Sequence, residues 1–137
     1  MLALRRILVP VDFSVSTWPA LEAATTLARI SQAEVDLLHV WEAQALAGPA
    51  EAYGGEDAQN ALDGLVTEAR QRRLIVHTAR AVSGIAHSAI VHEAVQGQYD
   101  LIVIGRHGRS ALARALLGSV AERVARHAPC AVLLAKL

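Results

Sequence analysis

Glycines dominate the segment 100–120, in the spacing G-x2-G-x9-G-S that begins at Gly105 and ends at Ser119. The first of them directly follows an apolar run that ends at Ile104. A glycine at the end of a strand permits a positive φ and lets a ligand approach the main chain closely. Gly108 can do the same one turn later. The segment therefore has the composition of a loop that wraps a ligand.

The last glycine, Gly118, stands directly before Ser119 and an amphipathic stretch. Ser119 is predicted to be a helix N-cap, and Glu122 completes the capping-box pattern S-x-x-E. A helix N-terminus offers free N–H groups and the positive end of the helix dipole, which suit an anion such as phosphate. The alternative is that these glycines are ordinary turn residues and that the capped helix has no ligand.

The elements that must position these residues alternate between two patterns. The short apolar runs, predicted to be strands of a sheet covered on both faces, are 7–9, 35–40, 74–76, 101–104 and 131–134. The amphipathic stretches predicted to be helices are 21–28, 58–69, 85–95 and 120–128. This alternation predicts one doubly wound α/β domain over residues 1–137, with three layers. Segment 42–56, rich in glycine, is predicted to be a loop.

The composition excludes several classes of protein. Thirteen basic residues balance thirteen acidic ones, so the chain lacks the basic excess typical of nucleic-acid binding. No run approaches the roughly 18 apolar residues of a membrane helix. The single cysteine, Cys130, cannot form an internal disulfide. We therefore expect a cytoplasmic protein with neither a nucleic-acid partner nor a membrane partner.

Positively charged side chains flank the glycines. Arg106 and Arg114 are predicted to be solvated at the surface, whereas His107 and Arg109, inside the turn, are better placed to neutralise phosphate. His39 lies within an apolar run and is predicted to be buried and hydrogen-bonded. The histidines and the cysteine show no spacing typical of a metal site.

The glycine spacing resembles the nucleotide-binding signature of the universal stress protein family, in its ATP-binding branch. The stretch "RRILVPVDFS" resembles the first strand and acidic turn of the family. The stretches "DLIVIGRHGRS" and "LLGSVAERVARHAPCAVLLAKL" resemble its last two strands with the helix between them. The resemblance covers nearly the whole chain. It implies a five-stranded parallel sheet of order 3-2-1-4-5 with four helices, in which strands one and four meet at the switch point where ligands bind.

The family pattern also implies roles for individual residues. Asp12 matches the aspartate that meets the ribose or the metal–phosphate region, and the alternative is a local role as a helix-entry cap or Asx-turn residue. Val40 matches the residue that contacts adenine through its backbone, and Pro10 shapes the strand exit beside it. The complete set of expected nucleotide contacts is Pro10, Asp12, Val40, Gly105, His107, Gly108, Arg109, Gly118, Ser119 and Val120. The implied cofactors are ATP or another adenine nucleotide and Mg²⁺, with Asp12 as the metal ligand. Phe13 departs from the pattern, because many members carry glycine there.

The predicted function is that of a stress-response regulator or nucleotide-dependent switch that holds ATP without rapid turnover. Asp12 is the only acid near the signature, so a general base for an attacking water is missing. A slow ATPase and a dimeric adaptor with a vestigial site are the alternatives. A signalling receiver domain would need an acidic pair after strand one, which the chain lacks. The apolar edge strand 131–135, together with the resemblance, predicts a homodimer.

Overall fold

Strands and helices alternate along the whole chain. The structure, a computed structural model, describes residues 3–42, 55–106 and 117–136. Its strands are β1 (Arg6–Pro10), β2 (Glu34–Trp41), β3 (Thr78–Ser83), β4 (Leu101–Gly105) and β5 (Ala131–Ala135). Its helices are α1 (Thr17–Ser31), α2 (Gly55–Gln71), α3 (Ala86–Gln96) and α4 (Ser119–His127).

The five strands form one parallel sheet in the order β3-β2-β1-β4-β5. One apolar core lies between the sheet and helices α1 and α2, and a second lies between the sheet and helices α3 and α4. The predicted fold class, including the strand order, is therefore confirmed. Strands β1 and β4 are neighbours, so the residues that follow them emerge side by side at the carboxyl edge of the sheet.

Alternation along β1 shows how the sequence fills both cores. Ile7 and Val9 face α1 and α2, while Leu8 faces α3 and α4, and all three are almost fully buried. Successive side chains of a strand point to opposite faces, so a strand covered on both sides is apolar at most positions. The unbroken apolar runs of the sequence are the direct consequence of this arrangement.

The prediction of the third strand at 74–76 is wrong, because β3 lies at Thr78–Ser83. The earlier run is apolar because its side chains pack onto the core beneath α1 and α2. Its backbone is held by helices α2 and α1 instead of a strand ladder. Leu74 N–H donates to Ala69 O (2.9 Å), and Ile75 N–H donates to Thr25 Oγ1 (3.0 Å). The predicted loop 42–56 falls mostly outside the described residues, and its last two residues belong to α2.

A buried acidic cluster occupies the amino ends of the strands, opposite the glycines. We call Asp36 with its donors the Asp36 cluster; the donors are Arg6, His77, Thr78 and Tyr99. The side chain of Asp36 is only 3% exposed. Its carboxylate accepts hydrogen bonds from Tyr99 Oη (2.7 Å) and Thr78 Oγ1 (2.7 Å). A cavity of about 140 Å³ opens beside the cluster.

The two edges of the sheet differ in how they are covered. At the β3 edge, the side-chain amide of Gln59 reaches over from α2, and its Oε1 accepts a hydrogen bond from Ala81 N–H (3.2 Å). At the β5 edge, Leu133 and Leu134 are 39% and 37% exposed. The β5 edge is therefore the more apolar and the more open of the two.

The sequence predicts no membrane-spanning helix. Within the ranges that the structure describes, no helix is long and apolar enough to cross a membrane.

Candidate nucleotide site at the carboxyl edge of the sheet

The turn between β1 and α1, residues 11–16, carries the acid of the candidate site, and we call it the Asp12 turn. Oδ1 of Asp12 accepts a hydrogen bond from Ser14 N–H (3.0 Å). This bond is an Asx turn, so the local role weighed for Asp12 is present. Oδ2 has no hydrogen bond to any described residue, and the side chain is half-buried. Asp12 therefore shapes its own turn with one oxygen and keeps the other available.

Phe13 adopts the left-handed conformation that favours glycine, with φ of 63°. A non-glycine residue in this region is strained by its Cβ. The phenyl ring packs against the core beneath α1 and α2, where its centroid lies 4.4 Å from that of His39. The turn thus keeps the glycine-like backbone of the family pattern, and the added ring is accommodated by packing inward.

Gly105 ends β4 directly beside the start of α1. A Cβ placed on Gly105 would lie 2.5 Å from Cβ of Ser16 and 3.2 Å from its carbonyl oxygen. The positive φ considered for Gly105 is not observed, since Gly84 is the only glycine with that conformation among the described residues. Gly105 is therefore required for the close approach of α1 to the sheet, whether or not a ligand also contacts it.

Replacing Gly105 with alanine is expected to lower the free energy of unfolding by roughly 1–3 kcal/mol, the usual cost of overpacking. The reason is that the new methyl group must displace Cβ and the carbonyl oxygen of Ser16, neither of which can rotate away. Gly64→Ala is the matched control, because a Cβ at this α2 position meets nothing within 4 Å. The control should gain about 0.5–1 kcal/mol. Urea denaturation of both variants measures the difference, and equal stabilities would contradict the packing role.

A backbone hydrogen bond brings the start of α4 back to the end of β4. Gly118 N–H donates to Arg106 O at 2.8 Å. Gly118, extended with φ of −61° and ψ of 149°, is the N-cap, and α4 begins at Ser119. The prediction of Ser119 as N-cap is therefore wrong. The capping box is also absent, since Glu122 pairs with Arg126 (2.9 Å) one turn later.

Among the described residues, no side chain caps the N-terminus of α4. The first N–H groups of a helix have no intrahelical acceptor. At α4 these include the N–H groups of Ser119 and Val120, both of which lie at exposed positions. Such groups, together with the helix dipole, favour an anion at this end. This helix end is better suited to a phosphate than the capped helix predicted from the sequence, because a serine cap would have occupied one of the N–H donors.

Pro10 and Val40 lie on neighbouring strands at the same edge. Pro10 is buried, ends β1 and pairs with Leu38. The bond from Val11 N–H to Leu38 O (2.9 Å) directs the backbone groups of Leu38 toward β1. Backbone groups two residues apart in a strand point the same way, so those of Val40 also point toward β1, beyond the residue where that strand ends. They are placed for the backbone contact that the family pattern implies.

Three of the expected contacts, His107, Gly108 and Arg109, lie outside the described residues. Within the described part of the chain, no group of three or more histidine, cysteine or acidic residues could hold a metal ion. Asp12 is the expected metal ligand, and a cation there would take its remaining oxygen ligands from phosphate and water.

His39 is the residue whose role at this edge the sequence did not reveal. The prediction of a buried, hydrogen-bonded histidine is confirmed, since His39 is 7% exposed. Its partner is the carbonyl oxygen of Val11, 2.8 Å from Nδ1. That oxygen belongs to the Asp12 turn, a contact between two strand ends that no sequence spacing indicates.

Known proteins with similar sequences share this fold. The chain is 34% identical to Universal stress protein MJ0531 of Methanocaldococcus jannaschii, over 96% of this chain and 82% of that protein. The structure of universal stress protein UspA from Lactobacillus plantarum superposes with a TM-score of 0.76 at 28% identity, covering 96% of this chain and 97% of that one. A universal stress protein in complex with cAMP gives a TM-score of 0.74 at 26% identity, with coverage of 96% and 97%. Residues 3–136 match the sequence model of the Universal stress protein family, and the chain therefore belongs to that family.

Proposed function

We propose that this protein binds an adenine nucleotide at the carboxyl edge of its sheet and acts as a nucleotide-dependent regulator in the stress response. One observation carries the proposal. The Gly118 N–H to Arg106 O bond sets the uncapped start of α4 beside the end of β4, where Gly105 in turn touches the start of α1. An anion-binding helix end and the Asp12 turn thus flank the same strand end.

The start of α4 and the Asp12 turn offer groups that suit different parts of a nucleotide. The N–H groups at the start of α4 favour phosphate oxygens. The unbonded oxygen of Asp12 can accept a hydrogen bond from a ribose hydroxyl or bind a cation that travels with the phosphates. The backbone of Val40 offers a donor and an acceptor to a base. The cAMP complex of a related universal stress protein supports adenine as the base.

Calorimetry with ATP in the presence of Mg²⁺ tests the proposal, and we expect measurable heat and a raised melting temperature. GTP is the comparison that tests the base, and it should bind more weakly. Asp12→Asn retains an oxygen for the Asx turn but removes the charge, so it should weaken binding of Mg²⁺–ATP while leaving the fold unchanged. Absence of both heat and thermal shift with millimolar ATP, ADP and AMP would refute the proposal.

Slow turnover belongs to the same proposal, because Asp12 is the only acid among the described residues that we place in the site. Phosphate release is expected to stay far below the ~1 s⁻¹ lower end of ordinary enzymes. A sustained rate above that value, lost in Asp12→Ala, would favour an ATPase.

We further propose that two copies pair through β5. The bond from Arg106 N–H to Ala135 O (2.7 Å) shows that the odd-numbered residues of β5 turn their backbone groups toward β4. The N–H of Val132 therefore faces the open edge. Unpaired groups at such an edge, beside exposed leucines, favour pairing with another strand, and a two-fold axis is the commonest symmetry for it.

Val132→Pro is expected to weaken the dimer, because proline removes a donor from the open edge while the bonds to β4 remain. Light scattering after size exclusion, at tens of micromolar protein, measures the mass. A parent mass near the 14.6 kDa of one chain would reject the dimer. An unchanged dimer in the proline variant would place the interface elsewhere.

A further inference from the structure

His39 binds the main chain of the Asp12 turn from the neighbouring strand. The side chain, on β2, is 7% exposed, and its Nδ1 lies 2.8 Å from Val11 O. On the same residue, Val11 N–H donates to Leu38 O (2.9 Å). Both backbone groups of Val11 are thus held by consecutive residues of β2, immediately before Asp12.

The imidazole ring also supports the next part of the turn. The rings of His39 and Phe13 meet at 4.4 Å between centroids, with an angle of 49° between their planes. Phe13 is the residue with left-handed φ, a conformation that persists only where surrounding contacts impose it. His39 therefore contacts the residue on each side of Asp12, by a hydrogen bond on one side and by ring packing on the other.

The chemistry of the bond fixes the tautomer of His39. A carbonyl oxygen only accepts, so the hydrogen must be on Nδ1. Nε2 is then the acceptor of the neutral ring, and it is buried without a hydrogen-bond partner among the described residues. An acceptor left unsatisfied in this way lowers stability, so Nε2 gives no reason for a histidine at position 39. The bond from Nδ1 and the ring contact are the interactions that do.

We propose that His39 is a positioning residue of the nucleotide site: its Nδ1–H bond to Val11 O holds the turn so that the carboxylate of Asp12 faces the ligand. This role rests on the proposed nucleotide binding. Among the described residues, the Asp12 side chain is hydrogen-bonded only within its own Asx turn, so the direction of its free oxygen depends on the backbone that His39 holds.

Two substitutions separate the hydrogen bond from the packing. In His39→Asn, an amide N–H stands close to the place of Nδ1–H, whereas His39→Leu has similar bulk and no donor. Both lose the ring contact with Phe13, so both should have lower melting temperatures. Only His39→Leu should lose affinity for Mg²⁺–ATP, by about 10-fold, because it leaves the Val11 carbonyl without its side-chain donor. His39→Asn should stay within about 3-fold of the parent.

Equal loss of affinity in the two variants would overturn the role of the hydrogen bond, and so would parent-like affinity in His39→Leu. Hydrogen exchange at the Ser14 amide is a readout that needs no ligand, because this amide reports the Asx turn of Asp12. Exchange should speed up in His39→Leu more than in His39→Asn. If the parent fails to bind ATP but the exchange difference is seen, the proposed function fails and the positioning of the turn stands. If binding is seen but exchange is equal, the positioning is wrong.

The tautomer gives a test on the parent protein alone. The ¹⁵N chemical shifts of His39 at neutral pH should show the hydrogen on Nδ1 and none on Nε2. A ring protonated on Nε2 alone would overturn the proposal, since it could not donate to Val11 O.

Discussion

Asp36→Asn is expected to lower the free energy of unfolding by about 3 kcal/mol, at the lower end of the cost of breaking a buried ion pair. The lower end applies because the partner Arg6 is 40% exposed and screened by solvent. The hydroxyls of Thr78 and Tyr99 donate to different oxygens of Asp36. An asparagine replaces one of these oxygens with an N–H₂ group, which cannot accept, so one of the two hydroxyls loses its acceptor. Thermal unfolding should show a melting temperature lower by roughly 10 °C.

The effect should depend on pH in a defined direction. Burial by itself raises the pKa of Asp36, but hydrogen bonds outweigh it and hold the pKa below the ordinary 3.8. The donors responsible are Thr78, Tyr99, Arg6 and His77. A lowered carboxyl pKa stabilises the folded state fully above the unfolded value and loses that contribution as the pH falls through the folded value. The stability gap between parent and variant should therefore be constant near pH 7 and shrink below about pH 4.

Glu34→Gln is the matched control for the Asp36 cluster. Glu34 also pairs with His77 (3.2 Å), but its side chain is 54% exposed. An exposed pair of this kind contributes little, so the control should change stability by less than about 0.5 kcal/mol. A similar loss in both variants would mean that burial of Asp36 is not what makes the cluster stabilising.

Gly118→Val is expected to abolish or strongly weaken nucleotide binding in a protein that still folds. The backbone of Gly118 has φ of −61° and ψ of 149°, which any residue can adopt. The backbone conformation at this position therefore does not require glycine. A side chain at the N-cap would occupy the space in front of the α4 N–H groups, where we place the phosphates. Overpacking of roughly 1–3 kcal/mol corresponds to about 5- to 150-fold in affinity.

Calorimetry with Mg²⁺–ATP measures this loss, and circular dichroism and melting temperature check the fold. Gly64→Val is the control for adding a valine to this protein, because Gly64 is an exposed residue of α2 and a Cβ there has open space around it. It should bind ATP as the parent does. If Gly118→Val is folded and binds with parent affinity, the glycine is an ordinary turn residue and the phosphates lie elsewhere.

The fold was predictable from the sequence wherever strands are covered on both faces. The runs that became β1, β2 and β4 are apolar at nearly every position for that reason. The prediction of the third strand failed because β3 is an edge strand, in which polar and apolar residues are mixed (Thr78–Ser83). The more apolar run 74–76 before it packs on the core without joining the sheet. Apolar content reports burial, and only hydrogen bonding distinguishes a strand from a buried connection.

The candidate site was predictable in its location but not in its contacts. Strand order and the positions of Asp12 and Gly105 follow from the family resemblance. The contact between Gly105 and Ser16 joins residues 89 positions apart in the sequence, and the bond from His39 to Val11 depends on strand register. The sequence does not distinguish Gly118 from Ser119 as the N-cap of α4, because both residue types are acceptable there. The choice depends on the bond from Gly118 N–H to Arg106 O.

The side-chain amide of Gln59 on the Ala81 N–H has a consequence for the number of copies that the proposed pairing through β5 would join. A molecule with two adhesive edges in a sheet adds neighbours at both and grows without limit as a filament. A molecule with one such edge has a valence of one, and its growth stops at a pair. Gln59 occupies a backbone donor of β3 from within the same chain and so disfavours pairing at that edge. The pairing through β5 that we propose would then end as a closed pair and not as a fibre.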